Sequence, residues 1–332
     1  MPPPVSFSHV AVLGAGAWGT ALALAAHGAG RKTVLWVREE DVLTSLKAGK
    51  QNRFLPGVTL PGDLAVTGDL AQACAADAIL LVVPAQVLHS FADALRPHLK
   101  RGQPVVICAK GIEKDSGKLV TEVAAEALPD APLAILSGPS FARDVARGLP
   151  TAVTIAAKGE LAGQLQASLG SPAFRPYASD DLVGVALGGA AKNVYAIACG
   201  VVEGMGLGEN ARAALLARSF AELTRLGVHL GARRETLMGL SGLGDLVLTA
   251  TSPSSRNFSF GIELGKGKTV AELRVAGQPL AEGVDTAPAL VKRARSGDVE
   301  MPIAEAMADL LSGTLPTGEA VMRLMSRKLT VE

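Results

Sequence analysis

Six residues, Gly14-Ala15-Gly16-Ala17-Trp18-Gly19, constrain the fold of this chain more than any other part of it. They lie between a compact apolar run at 9–13 (HVAVL) and an Ala-rich helical segment at 18–27. Glycine at the first, third and sixth places has a steric meaning in that setting. Gly14 permits a tight turn, Gly16 lets the main chain approach a pyrophosphate, and Gly19 lets a helix lie against a sheet. The helix start then offers N–H groups and the positive end of a dipole to phosphates. The motif predicts a dinucleotide site. Trp18, at the helix start, is placed either to cover the cofactor or to pack.

The rest of the first half continues the pattern. Short apolar, β-branched runs recur at 33–37 (TVLWV), 78–83 (AILLVV), 104–108 (PVVIC), 133–136 and 152–156, separated by helical stretches. Unbroken apolar strands of this kind indicate a parallel sheet covered on both faces, and helical crossovers make it doubly wound. Beyond about Asp180 helical periodicity takes over, with strong helix formers at 212–225, 284–294 and 303–311. The expected fold class is α/β, with a Rossmann-type domain over 1–184 and an all-helical domain over 185–332. At 332 residues, two domains sharing a cleft are expected.

Composition narrows the function. Apolar residues are 48% and aromatics only 4%, which suits close-packed helices and not a stacking platform for nucleic acid. The net charge is +1 with both signs mixed along the chain, so no electrostatic footprint for DNA or RNA is expected. Cys74, Cys108 and Cys199 are far apart in apolar stretches, as reduced cytosolic thiols would be. Met1-Pro2-Pro3-Pro4 lacks the basic-then-apolar order of a secretory leader, and a cytoplasmic location is expected. The longest apolar stretch, 183–202, is interrupted by Lys192 and Asn193, so it reads as a buried helix carrying a polar pair, not an integral membrane segment.

The second apolar run ends at Val37-Arg38-Glu39-Glu40, about 20 residues after the glycines, where an acid holds a ribose 2′-hydroxyl and an arginine pairs with a 2′-phosphate. Arg38 comes first, which favours NADP(H), with NAD(H) as the alternative. Hydride chemistry also needs a group that gives and takes a proton. The five histidines show no partner carboxylate at a suggestive spacing and no metal-like clustering, so no metal is expected. Lys192 is the better candidate. It follows the small residues Gly188-Gly189-Ala190-Ala191, and burial would lower a lysine from its reference pKa of about 10.4 towards working pH. A lysine snorkelling to the surface is the plain alternative.

Lys110 closes the run at 104–108, and Ser137-Gly138-Pro139-Ser140-Phe141-Ala142 closes the next, both at strand ends where open α/β sheets bind ligands. Ser241-Gly242-Leu243-Gly244-Asp245-Leu246 and Ser254-Ser255-Arg256-Asn257 form a third cluster. Ser and Asn there serve as ordinary helix caps, but an Arg between them makes a phosphate cradle.

Taken together, these motifs resemble the bacterial NAD(P)-dependent glycerol-3-phosphate dehydrogenase family. The resemblance runs from Gly14 to about Arg323 and includes Leu35-Trp36-Val37-Arg38, Lys110-Gly111-Ile112-Glu113, Gly189-Ala190-Ala191-Lys192-Asn193 and Gly206-Leu207-Gly208-Glu209-Asn210. It implies a Rossmann domain followed by a helical domain like the C-terminal one of 6-phosphogluconate dehydrogenase. It implies a catalytic Lys192, with Lys110, Gly138, Ser140, Lys192, Asp245, Ser255, Arg256 and Asn257 at substrate-contacting positions. The cofactor, NAD or NADP, would meet Gly14, Gly16, Ala17, Trp18, Gly19, Arg38, Lys110, Ala142, Arg256, Leu280 and Glu282. It further implies a homodimer whose product, glycerol 3-phosphate, feeds phospholipid synthesis. Mild departures are Ala17, where the family often has Ser, and Ala191, where it often has Leu or Phe. The rivals are a β-hydroxyacid dehydrogenase or ketopantoate reductase of the same architecture, and a non-catalytic nucleotide sensor.

Overall fold

The computed structural model describes residues 6–49, 51–273 and 281–326. Contacts divide the chain into two compact units, 1–110 with 120–186 and 111–119 with 187–332.

Among the described residues the first unit carries eight strands: β1 (His9–Leu13), β2 (Lys32–Trp36), β3 (Ala65–Thr67), β4 (Ala78–Leu81), β5 (Val105–Ile107), β6 (Leu133–Ser137), β7 (Thr151–Ala157) and β8 (Phe174–Ser179). They form one sheet in the order β3-β2-β1-β4-β5-β6-β7-β8. The helices of this unit are α1 (Ala17–Gly28), α2 (Glu40–Lys47), α3 (Leu70–Ala73), α4 (Leu88–Leu95), α5 (Val120–Ala127), α6 (Ala142–Ala146) and α7 (Leu161–Leu169). Every residue of β4 and β5 is buried, because helices cover both faces and leave no polar side. Val10, Val12, Leu35, Leu80, Val106, Leu136 and Ile155 join Leu22 and Leu43 in a single apolar core. Each such side chain contributes about 1.5–3 kcal/mol when fully buried. The stability of the unit therefore resides in these central strands.

Two features depart from the wholly parallel sheet expected. β7 runs antiparallel to β6, pairing Ser137 with Thr154, while β8 is parallel to β7. The connection from β6 to β7 holds only the five-residue α6. The strands β3 and β8 were not expected at all. β3 has three residues, and β8 alternates buried with exposed residues around Pro176, a residue tolerated only where no ladder bond is needed. Both are edges.

The second unit is helical: α8 (Leu182–Gly204, its first turn in the first unit), α9 (Glu209–His229), α10 (Arg234–Met238), a π-helical turn (Leu240–Gly244), α11 (Asp245–Thr251), α12 (Arg256–Gly265), α13 (Val270–Leu273), α14 (Glu282–Arg295), α15 (Pro302–Ser312) and α16 (Thr317–Met325). Its segment 111–119 adds one bridge, between Ile112 and Leu119. Helix α8 is long and apolar enough to cross a bilayer, yet its most apolar 18 residues are wholly buried inside the protein. It is the core helix. A Cβ at Gly200 or Gly204 would collide with the backbone at Phe258 or Ile262, and one at Gly261 or Gly265 with the backbone at Ile197 or Val201. Four absent side chains thus let α8 and α12 run main chain against main chain. That contact brings Asn257, near the start of α12, beside Asn193 of α8.

A buried carboxylate ties three helices together. Glu222 of α9 accepts from the backbone N–H of Ile303 (2.7 Å) and of Ala304 (3.2 Å), capping α15, and Tyr195 of α8 donates its hydroxyl to it at 3.4 Å. Burial outweighs these bonds and pushes the Glu222 carboxyl up to about 7.

Candidate active site

The glycine turn follows β1 and opens α1. Gly14 has φ +117, and a Cβ there would strike the Val82 carbonyl; a Cβ on Gly19 would strike the Gly14 carbonyl. Gly16 differs. Nothing lies within 4 Å of the position its Cβ would take. Two glycines are therefore demanded by the protein's own packing, and the third leaves open space in front of the main chain. Gly16 also caps α1 without a side-chain bond, so the first N–H groups of the helix, beginning at Ala17 and Trp18, have no side-chain cap from that residue. The indole Nε1 of Trp18 is buried without a hydrogen-bond partner. An uncapped helix start with open space before it fits a pyrophosphate. Past the end of β2, Arg38 is exposed and donates Nε and Nη2 to the Glu39 carboxylate at 3.0 and 2.7 Å.

The ends of β5 and β6 meet through one carbonyl. Lys110 Nζ donates to Gly138 O at 3.1 Å, and Ser140 Oγ donates to the same oxygen at 3.0 Å. Gly138 has φ +147, and a Cβ there would sit 2.9 Å from Val153 Cα, so this close approach of β6 to β7 requires glycine. Ala142 opens α6 directly afterwards. Lys110, Gly138, Ser140 and Ala142 are thus gathered at the carboxyl ends of neighbouring strands, where β1 and β2 also end.

In the helical unit, Lys192 is only 7% exposed and does not snorkel. Its Nζ donates to Asp245 Oδ1 at 2.6 Å and to Thr249 Oγ1 at 2.9 Å. Thr249 Oγ1 in turn donates to Asp245 Oδ1 at 3.3 Å. Asp245 opens α11 directly after the π-helical turn, and Thr249 lies one helical turn later on the same face. The turn can approach α8 because Gly188 has no side chain; a Cβ there would lie 2.5 Å from Ser241 O.

A second polar chain runs beside it. Asn257 donates Nδ2 to Asn193 Oδ1 (2.9 Å), and its Oδ1 accepts from the Gly283 N–H (2.9 Å). Asn193 donates Nδ2 to Glu282 Oε2 (3.2 Å), and Glu282 faces Arg256 with Nη2 to Oε1 at 3.7 Å. Ser255 is spent in part as the N-cap of α12, accepting from Phe258 N at 3.2 Å, while the Arg256 side chain is 58% exposed beside it. Lys192, Asp245, Ser255, Arg256, Asn257 and Glu282 therefore belong to one helical unit, linked through the neighbouring positions Lys192 and Asn193. Leu280 lies outside the described residues. Thr249 was not foreseen; its spacing of four from Asp245 was the only signal, set in a segment that reads as plain apolar helix.

The family model described as NAD-dependent glycerol-3-phosphate dehydrogenase N-terminus matches residues 9–162, and its C-terminus counterpart matches 181–322. The chain is 53% identical over 330 residues to a glycerol-3-phosphate dehydrogenase [NAD(P)+] of Parvibaculum lavamentivorans, covering 99% of each chain. It is 55% identical over 327 residues to that of Rhodospirillum rubrum, covering 98% of this chain and 94% of the other. A crystal structure of glycerol-3-phosphate dehydrogenase from Coxiella burnetii superposes with a TM-score of 0.92 at 38% identity, over 98% of this chain and 100% of that one. A ketopantoate reductase from Ralstonia eutropha, at 15% identity and a TM-score of 0.59, shares the fold alone.

Proposed function

Since this chain belongs to the NAD(P)-dependent glycerol-3-phosphate dehydrogenase family, we propose that it reduces dihydroxyacetone phosphate to glycerol 3-phosphate with Lys192 moving the proton. The observation that carries this reading is the Lys192 ammonium, buried and aimed by Asp245 and Thr249. NAD(P)H bound at the Gly14 to Gly19 turn supplies the hydride that reduces the carbonyl carbon. Lys192, as ammonium, gives a proton to the carbonyl oxygen; in the oxidative direction its amine takes that proton back from the hydroxyl. Asp245, 2.6 Å from Nζ, fixes the direction of the lysine and offers its charged form a counter-charge. An amine without such a partner would favour its neutral form on burial.

The substrate phosphate is assigned to Arg256, whose guanidinium is exposed beside the start of α12 and offers a fork of donors. Asn257 and Ser255 complete that end, and Lys110, Gly138 and Ser140 are assigned to the substrate from the sheet side. Ala17, Trp18, Arg38 and Ala142, with Glu282 from the helical unit, are assigned to the cofactor. Arg38 favours NADPH. We further assign a cytoplasmic location, which suits three buried free thiols, a homodimeric state and a place in phospholipid synthesis.

The test is absorbance at the reduced-nicotinamide band with dihydroxyacetone phosphate and NADH or NADPH in turn. Fast oxidation with dihydroxyacetone phosphate and slow oxidation with a panel of oxo acids is expected. The opposite ranking would favour a ketopantoate-reductase-like enzyme, and binding without oxidation a nucleotide sensor.

A further inference from the structure

The glycine turn poses a mechanical problem. Gly16 must lack a side chain to leave space for a ligand, and a residue without Cβ is the least able to hold its own backbone in place. The protein answers from outside the turn. Asn52, in the loop after α2, is 1% exposed and reaches back to donate Nδ2 to Ala15 O and to Thr20 Oγ1, both at 2.8 Å. Thr20 Oγ1 also donates to Ala15 O at 3.4 Å, and Asn52 is itself fixed by accepting from the Phe54 N–H at 2.9 Å. The Ala15 carbonyl is therefore held towards the buried side by two donors.

A trans peptide points its C=O and the following N–H in opposite directions. Gripping Ala15 O inward consequently fixes the Gly16 N–H outward, away from the core. We propose that Asn52 is a positioning residue for the dinucleotide pyrophosphate, acting through the Ala15–Gly16 peptide plane. It touches no reacting atom. Its contribution is to order in advance a main-chain donor that would otherwise lose freedom on binding. This inference rests on the dinucleotide reading of the turn.

Isothermal titration of wild-type enzyme and Asn52→Asp with NADH, ADP-ribose and adenosine 2′-monophosphate tests it. The carboxylate has nearly the shape of the amide but cannot donate, and it repels the Ala15 oxygen. Affinity for NADH and ADP-ribose should fall about tenfold, as for a lost hydrogen bond made worse by repulsion, while adenosine 2′-monophosphate, which lacks the pyrophosphate, stays within about twofold. At saturating cofactor, kcat and the KM for dihydroxyacetone phosphate should also stay within about twofold. Unchanged NADH and ADP-ribose binding, or an equal loss for all three ligands, would overturn the proposal. If Asn52→Asp does not fold, Thr20→Val weakens the same grip. It should give a loss of about threefold confined to the two pyrophosphate ligands, and no loss would contradict the proposal equally. Wild-type protein that bound neither NADH nor ADP-ribose would instead overturn the dinucleotide reading, and this inference with it.

Discussion

Lys192 Nζ and Asp245 Oδ1 lie 2.6 Å apart, both buried, although 53 positions separate them in the chain. Such a pair is an inefficient way to stabilise a helical core, because desolvating two charges offsets most of their attraction. Its setting explains its presence. Gly188 of α8 admits the π-helical turn, the turn starts α11 at Asp245, and α11 returns Thr249 to the same lysine. Local π geometry is frequent at functional sites.

The three glycines of the turn should separate experimentally. Gly16→Val places its side chain in open space, so thermal stability should hold to within about 1 kcal/mol while NADH affinity falls more than about tenfold. Gly19→Ala should instead lower the melting temperature clearly, because its Cβ meets the Gly14 carbonyl. Equal effects of the two variants on stability would contradict the division of roles.

Arg256 is exposed, and its carboxylate neighbour is loosely placed, so little stability depends on it. Arg256→Ala should raise the KM for dihydroxyacetone phosphate about 30-fold or more, consistent with losing a charge-assisted phosphate contact, with melting temperature unchanged. Steady-state kinetics with varied substrate decide this. An unchanged KM would remove Arg256 from the phosphate site.

Glu222 gives a pH signature of stability. Its carboxyl is raised from an ordinary 4.5 to about 7, chiefly by burial. Between those values the folded protein keeps a proton that the unfolded chain has released. The stabilisation is therefore complete below about pH 4.5, declines as pH rises towards 7, and is flat above. The decline should be on the order of 3 kcal/mol, at 1.36 kcal/mol per unit. Urea unfolding of wild type and Glu222→Gln across pH 5 to 8 reads it, and the variant should lack that slope. Parallel slopes would contradict the account.

The central sheet was legible because its strands are apolar on both faces. The runs at 9–13, 78–83 and 133–136 correspond to β1, β4 and β6, differing only at their ends. Edge strands lacked that signal, and the antiparallel direction of β7 is a property of strand pairing that apolar periodicity does not report. In the site, the glycine turn, Lys192 and Arg256 stood out by residue type and setting. Thr249 and Asn52 did not. A threonine in an apolar helix and an asparagine in a polar loop are ordinary residues, and what distinguishes them is a tertiary contact, to Lys192 and to Ala15 respectively.

The most direct test of the account is Lys192→Ala, measured for turnover of dihydroxyacetone phosphate and for NADH binding on the same folded sample. Removing the lysine takes the opposite charge away from the buried Asp245 carboxylate, so stability should fall by about 3–5 kcal/mol, and both assays belong at low temperature. The account predicts a kcat lower by about 10³-fold or more with the NADH dissociation constant within about threefold of wild type. Turnover near that of wild type would show that the proton travels by another route.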